Sequence, residues 1–317
     1  MQGTAIIIGN MIGGITGGGG AILPTFFILG DGTIDGDNII DESGNFLVSE
    51  LAPAPPFTGL LDTYPGAAAG YSLRSLSSTY TGFAIKVQDN VGGATLDVGF
   101  DSNRELDTAA IAIYGGVNDV FVETWYDQSG NGNNSAQATS ANRPKIYDGT
   151  TGVVTDNGKP SIAFSNTTGS MSGYTPANGD ISFFMAANNT DTTSSHAFGT
   201  QKWSGTSNGN WFIGCQTTFR FYTHPGTSSV TATITQGQMF LGSAFQISGN
   251  KSIFSDGSAG GTATGADTSW TGPGLISDTT SSRGFAGPIS EMIIYESDQT
   301  SNRTGIETNI NDFYLIY

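Results

Sequence analysis

The chain has 317 residues, room for one large all-β domain with an added segment or for two ordinary domains. Its formal net charge of −16, from 27 acidic and 11 basic side chains, repels polyanions, so neither nucleic acid nor an anionic membrane is an expected partner. One cysteine, Cys215, excludes an intrachain disulfide framework, and the two histidines, His196 and His224, lack the clustered spacing of a zinc site.

Residues 1–29 carry no charged side chain. They lack the basic start, unbroken apolar core and small-residue cleavage site of a signal peptide. Gly13, Gly14 and the glycine run 17–20 argue against a free-standing or membrane-spanning helix, each glycine costing about 1 kcal/mol against alanine. Ile6-Ile7-Ile8 and Phe26-Phe27-Ile28-Leu29 are too apolar for a solvated tail. The segment therefore reads as an extended attachment arm, with Ile6, Ile7, Ile8, Phe26 and Phe27 covered by another protein surface; the alternative is a disordered tail. Residues 30–59 read as a small β segment and a linker. Asp31, Asp35, Asp37 and Asp41 miss the spacing of a calcium loop and suit acidic turns, and Ala52-Pro53-Ala54-Pro55-Pro56 is stiff and extended.

The main domain, 60–317, opens with residues 62–76, which read as a short helix capped by Asp62 or Thr63, with Ala69, Leu73 and Leu76 on one face. A hairpin is expected around Asp89-Asn90-Val91-Gly92-Gly93, and a second short helix over 107–114, capped by Asp107 and ended by Gly115-Gly116. Short strands follow, many alternating apolar and polar residues as half-buried sandwich strands do, up to Ser290-Glu291-Met292-Ile293-Ile294-Tyr295. Residues 298–314 read as a closing helix that buries Ile306, Ile310 and Phe313.

Between them lies Val120-Phe121-Val122-Glu123-Thr124-Trp125-Tyr126, a β run that ends in the polar knot Asp127-Gln128-Ser129-Gly130-Asn131-Gly132-Asn133-Asn134. Asp127, Ser129 and Asn131 have the spacing of the first half of a calcium loop, but position twelve is Ala138 where glutamate is required. The competing reading is a folded-in turn, in which Asp127 and Asn131 accept backbone N–H bonds and the glycines take positive φ. Trp203, Trp211, Tyr222 and Trp270, with Tyr174, lie in or beside loop-like segments. They are candidates for stacking on sugar rings, and packing at the sandwich rim or in a subunit interface is the alternative.

From residue 60 onward the sequence resembles the concanavalin A-like lectin/glucanase superfamily. The resemblance rests on Leu61-Asp62-Thr63-Tyr64-Pro65-Gly66-Ala67-Ala68-Ala69-Gly70-Tyr71-Ser72-Leu73-Arg74, on Tyr80-Thr81-Gly82, on Asp97-Val98-Gly99-Phe100-Asp101, on the Trp125 stretch, and on the closing strand with its helix. It implies an all-β, two-sheet jelly-roll sandwich with a few short helices, behind the arm and small β segment. The block is similar to the catalytic module of arabinofuranosidase B, and also to a domain of tailed-phage virion structural proteins, often behind a variable attachment segment. The enzymes need a carboxylate nucleophile and a carboxylic acid/base. The best match to the nucleophile strand here, Ser207-Asn208-Gly209-Asn210-Trp211-Phe212-Ile213, has no carboxylate; the acid/base falls near Asp278. The resemblance thus implies a non-enzymatic virion protein, a capsid decoration, head fibre or tail component. Its implied partners are other virion proteins, further copies of itself and host-surface glycans. No cofactor is required, calcium being the one candidate. A glycoside hydrolase of the arabinofuranosidase type is the alternative.

Overall fold

The computed structural model describes residues 33–35, 38–40, 56–174, 176–177, 179–192, 195–199, 210–224, 229–264, 274–277 and 284–317, without the side chains of 33–35, 38–40, 195–196, 210–212 and 223–224. The chain divides into two units, Met1–Phe57 and Thr58–Tyr317. In the first, β1 (Thr33–Asp35) and β2 (Asn38–Ile40) pair antiparallel.

The second unit is an antiparallel β-sandwich. It begins with α1 (Leu60–Thr63), β3 (Ala69–Ser72), β4 (Ile85–Asp89), β5 (Leu96–Val98), α2 (Thr108–Gly115) and β6 (Val120–Trp125). Short strands follow: β7 (Ser135–Ala136), β8 (Lys145–Asp148), β9 (Gly152–Val153), β10 (Thr155–Asp156), β11 (Lys159–Pro160), β12 (Ile162–Phe164) and β13 (Met171–Ser172). Then come β14 (Ile181–Asn188), β15 (Ser195–Gly199), β16 (Asn210–Cys215), β17 (Thr218–His224), β18 (Val230–Thr233), β19 (Met239–Ile247), β20 (Asn250–Ser255) and β21 (Ser258–Ala263). The chain closes with β22 (Leu275–Ile276), β23 (Gly287–Tyr295) and α3 (Arg303–Tyr314).

One layer runs β21-β20-β19-β14-β23, with β3 and β12 sharing the far edge of β23. The other runs β5-β4-β6-β7-β13-β22-β15-β16-β17-β18. Strand β8 pairs with both β6 and β12 and so joins the layers along one side. The main core lies between them, with Trp125, Tyr71, Phe183, Phe198, Phe219, Phe221 and Phe240 buried. A second core fills the outer face of the first layer, where α1 and α3 press Leu60, Ile306, Ile310 and Tyr314 onto Phe184, Phe245 and Tyr295. Alternation along β14 feeds both: Phe183 and Met185 face one core, Phe184 and Ala186 the other. Among the described residues no helix is long and apolar enough to cross a membrane.

Two of the helices follow the sequence reading. Asp107 caps α2 by accepting from the Ala110 N–H, and Gly115-Gly116 end it; α3 buries Ile306 and Ile310, with Phe313 half-buried. The helix read over 62–76 is different. It stops at Thr63, Gly66 takes φ +86°, and Ala69–Ser72 becomes a strand paired with β23. Pairing with a strand more than two hundred positions away overrides the local helical spacing.

Candidate ligand site

The polar knot after β6 is built by side chains that bind backbone. The Asp127 carboxylate accepts from the N–H groups of Gly70, Ser129 and Asn133 at 2.8, 2.8 and 3.0 Å, and from the Ser129 hydroxyl at 2.7 Å. Gln128, also buried, accepts from the Leu76 N–H and donates to the carbonyls of Ser72 and Arg74. Asn131 and Asn133 donate to carbonyls at 67 and 68. Gly130 and Gly132 take φ of +89° and +74°, which only glycine adopts freely. The knot thus laces β6 to β3. Asp127, Ser129 and Asn131 do come together, but around the carboxylate stand hydrogen-bond donors, a surrounding that does not fit a calcium ion, which needs oxygens. Among the described residues no three Asp, Glu, His or Cys side chains group to hold a metal ion.

One wall of this knot is also the wall of a cleft of about 260 Å³, lined by Leu61, Asp62, Pro65, Gly66, Ala67, Ser77, Thr79, Tyr80, Gln128, Ser129 and Gly130. That volume is slightly below the usual range of roughly 300–1,000 Å³ for ligand pockets and accommodates about one sugar ring. Asp62 is fixed by the Ser77 hydroxyl and the N–H groups of Gly59 and Ser78, with the Ser78 side chain bearing on it as well. Slight burial opposes its charge, but the hydrogen bonds from Ser78, Gly59 and Ser77 outweigh it and hold the carboxyl below its ordinary value. Tyr80 is half-buried and gives its proton to the Phe83 carbonyl at 2.8 Å. Burial, with the nearby charge of Asp127, pushes its phenol up to about 12, so it stays protonated.

Tyr80 also begins an aromatic ledge beside the cleft. Its ring meets Phe100 edge-on at 6.4 Å, and Phe83 lies 6.4 Å from Tyr126. Phe83 is 49% exposed, uncommon for a phenylalanine in a sandwich with a large core. The Tyr126 hydroxyl donates to Asp97, which lies 3.8 Å from Lys86. A Cβ on Gly82 would sit 2.5 Å from the Tyr80 hydroxyl oxygen, so position 82 must be glycine for Tyr80 to keep its place. Aromatic rings next to a polar cleft suit a sugar, which has apolar C–H faces and a rim of hydroxyls.

Solved arabinofuranosidases have this fold. A GH54 α-L-arabinofuranosidase soaked with a cyclic sulfate inhibitor matches with a TM-score of 0.61 and 16% identity, over 77% of this chain and 62% of that one. An arabinofuranosidase complexed with arabinofuranosyl-α-1,2-xylobiose matches with a TM-score of 0.61 and 17% identity, over the same shares. The chain spans less than two thirds of the length of these neighbours, and at such identity the likeness is one of fold. No family model and no curated protein matches the chain.

The aromatic residues singled out in the sequence fall elsewhere. Trp203 and Trp270 lie outside the described residues, as do Asp278 and the attachment residues Ile6, Ile7, Ile8, Phe26 and Phe27. Trp211 belongs to β16, its side chain outside the description. Tyr222 is half-buried on β17, alternating with the buried Phe219 and Phe221. Tyr174 is buried against Phe198 and donates to Glu296, a packing role. No local pattern joins the ledge, because Tyr80, Phe83, Phe100 and Tyr126 sit in different segments; the available signal is a Tyr and a Phe flanking Thr81-Gly82 where the hairpin strand from Phe83 begins.

Proposed function

We propose that the chain is a non-enzymatic, glycan-binding display protein of a phage virion, a capsid decoration, head fibre or tail component. Its uncharged residues 1–29 attach it to the particle, other virion proteins and further copies of itself surround it there, and the sandwich faces outward to host-surface glycans. The observation that carries the binding role is the exposed Phe83 on an aromatic ledge that shares Tyr80 with a polar cleft. The virion setting is supported by the resemblance of the 60–317 block and by the apolar arm, whose Ile and Phe clusters favour cover by protein over exposure. Full-length protein on a glycan array should retain specific sugars, and a blank array would end the binding role. Mass spectrometry of purified particles should find the chain at high copy number; its absence from particles would end the virion role.

A hydrolase reading is favoured by the arabinofuranosidase fold. Against it stands the stretch 207–213, which supplies no carboxylate where that resemblance requires a nucleophile. Release of sugar from a chromogenic arabinofuranoside, lost in Asp278→Asn, would establish the hydrolase instead.

A further inference from the structure

We infer that the cleft beside Tyr80 takes a sugar bearing hydroxyl or ammonium donors and no acid group; this rests on the glycan-binding reading above. The reason is a count of protons. The Ser77 hydroxyl gives its proton to Asp62, so in the 3.0 Å contact between Ser77 and Thr79 the proton must come from Thr79. Tyr80 donates to the Phe83 carbonyl, Ser129 to Asp127, and both amide protons of Gln128 go to carbonyls. Every hydroxyl and side-chain amide proton on the cleft wall is therefore spent inside the protein.

What remains is acceptor capacity. A carboxylate offers about four lone-pair sites. Asp62 takes the Gly59 and Ser78 N–H groups on Oδ2 and the Ser77 hydroxyl on Oδ1, with the Ser78 side chain bearing on the carboxylate too, so what it offers the cleft is its negative charge. The Tyr80 oxygen keeps its own lone pairs. No basic side chain lines the cleft, while Asp62 stays ionised and Asp127 lies behind the wall. A carboxylate, sulfate or phosphate on the ligand would find no side-chain donor and no countercharge there, whereas a hydroxyl finds the Tyr80 oxygen as acceptor and an ammonium finds that acceptor and a charge.

The test uses the full chain against glucosamine, glucose and glucuronic acid, each displayed on the same support. Glucosamine and glucose should bind, and glucuronic acid at least about fivefold more weakly, the scale of one exposed like-charge contact. Asp62→Asn should narrow the glucosamine-to-glucuronic acid ratio, and added salt should narrow it in the parent. Should Asp62→Asn fail to fold, Tyr80→Phe removes an acceptor and keeps the ring, and should weaken glucose severalfold. Glucuronic acid bound as well as glucose, a ratio unmoved in folded Asp62→Asn, or glucose binding unmoved in Tyr80→Phe would each overturn the inference and leave the glycan-binding reading standing. A parent that binds no glycan on the broad array removes both.

Discussion

Asp127 gathers four donors from three residues onto one side chain. Replacing it with alanine strands the N–H of Gly70 inside the sandwich and frees the knot, and each buried unsatisfied polar group costs about 1–3 kcal/mol. Asp127→Ala should therefore lose at least about 3 kcal/mol in urea unfolding, with no recovery on adding calcium. A loss under about 1 kcal/mol, or rescue by calcium, would restore the metal reading. Asp156 is the opposite case. Its Oδ2 has no partner, and burial raises the carboxyl above its ordinary 3.8 despite hydrogen bonds from Asn188 and Asn157. A folded value above the unfolded one penalises the charged form: the penalty is complete above the folded value and vanishes below 3.8. Asp156→Asn should raise the Tm at neutral pH, and scanning calorimetry should show that gain disappear once the pH falls below 3.8.

At the scale of elements, α3 is bolted to the first layer by ions as well as by apolar packing. Arg74 on the chain after β3 holds Glu291 of β23 through two bonds, at 2.8 and 3.0 Å, and reaches Asn309 of α3 at 2.9 Å. The guanidinium lies 4.8 Å from the Phe313 ring. Glu291 is fully buried, so Glu291→Gln leaves a buried cation without its countercharge and should cost about 3–5 kcal/mol, with hydrogen exchange in α3 quickening along with it. A cost near zero would mean that the apolar contacts of Ile306, Ile310 and Tyr314 hold the helix alone. Legibility in the sequence follows how local each cause is. The α2 boundaries were readable because Asp107 and Gly115-Gly116 act within a turn of the helix they limit, and the β4–β5 hairpin because its turn residues are contiguous. Ala69–Ser72 was unreadable as a strand because its reason to extend is β23.

At the scale of the molecule, the two-layer sandwich was legible from strand spacing and from the Trp125 stretch, whose Trp125 is fully buried and whose polar knot forms a turn. The candidate site was not. Asp62, Tyr80, Phe83, Phe100, Tyr126 and Ser129 come from separate stretches that only the folded chain brings to one side, and nothing local marks Phe83 as the phenylalanine the fold leaves exposed. The central claim is that this composed surface holds sugar. Phe83→Ala removes a half-exposed ring with little of the core behind it, so folding should be almost unaffected. The decisive measurement is the affinity of the parent and of Phe83→Ala for whichever sugar the array selects, in one titration series. The account predicts roughly tenfold weaker binding by the variant, about 1.4 kcal/mol and within the range for an aromatic contact. Equal affinity in a normally folded Phe83→Ala would contradict it.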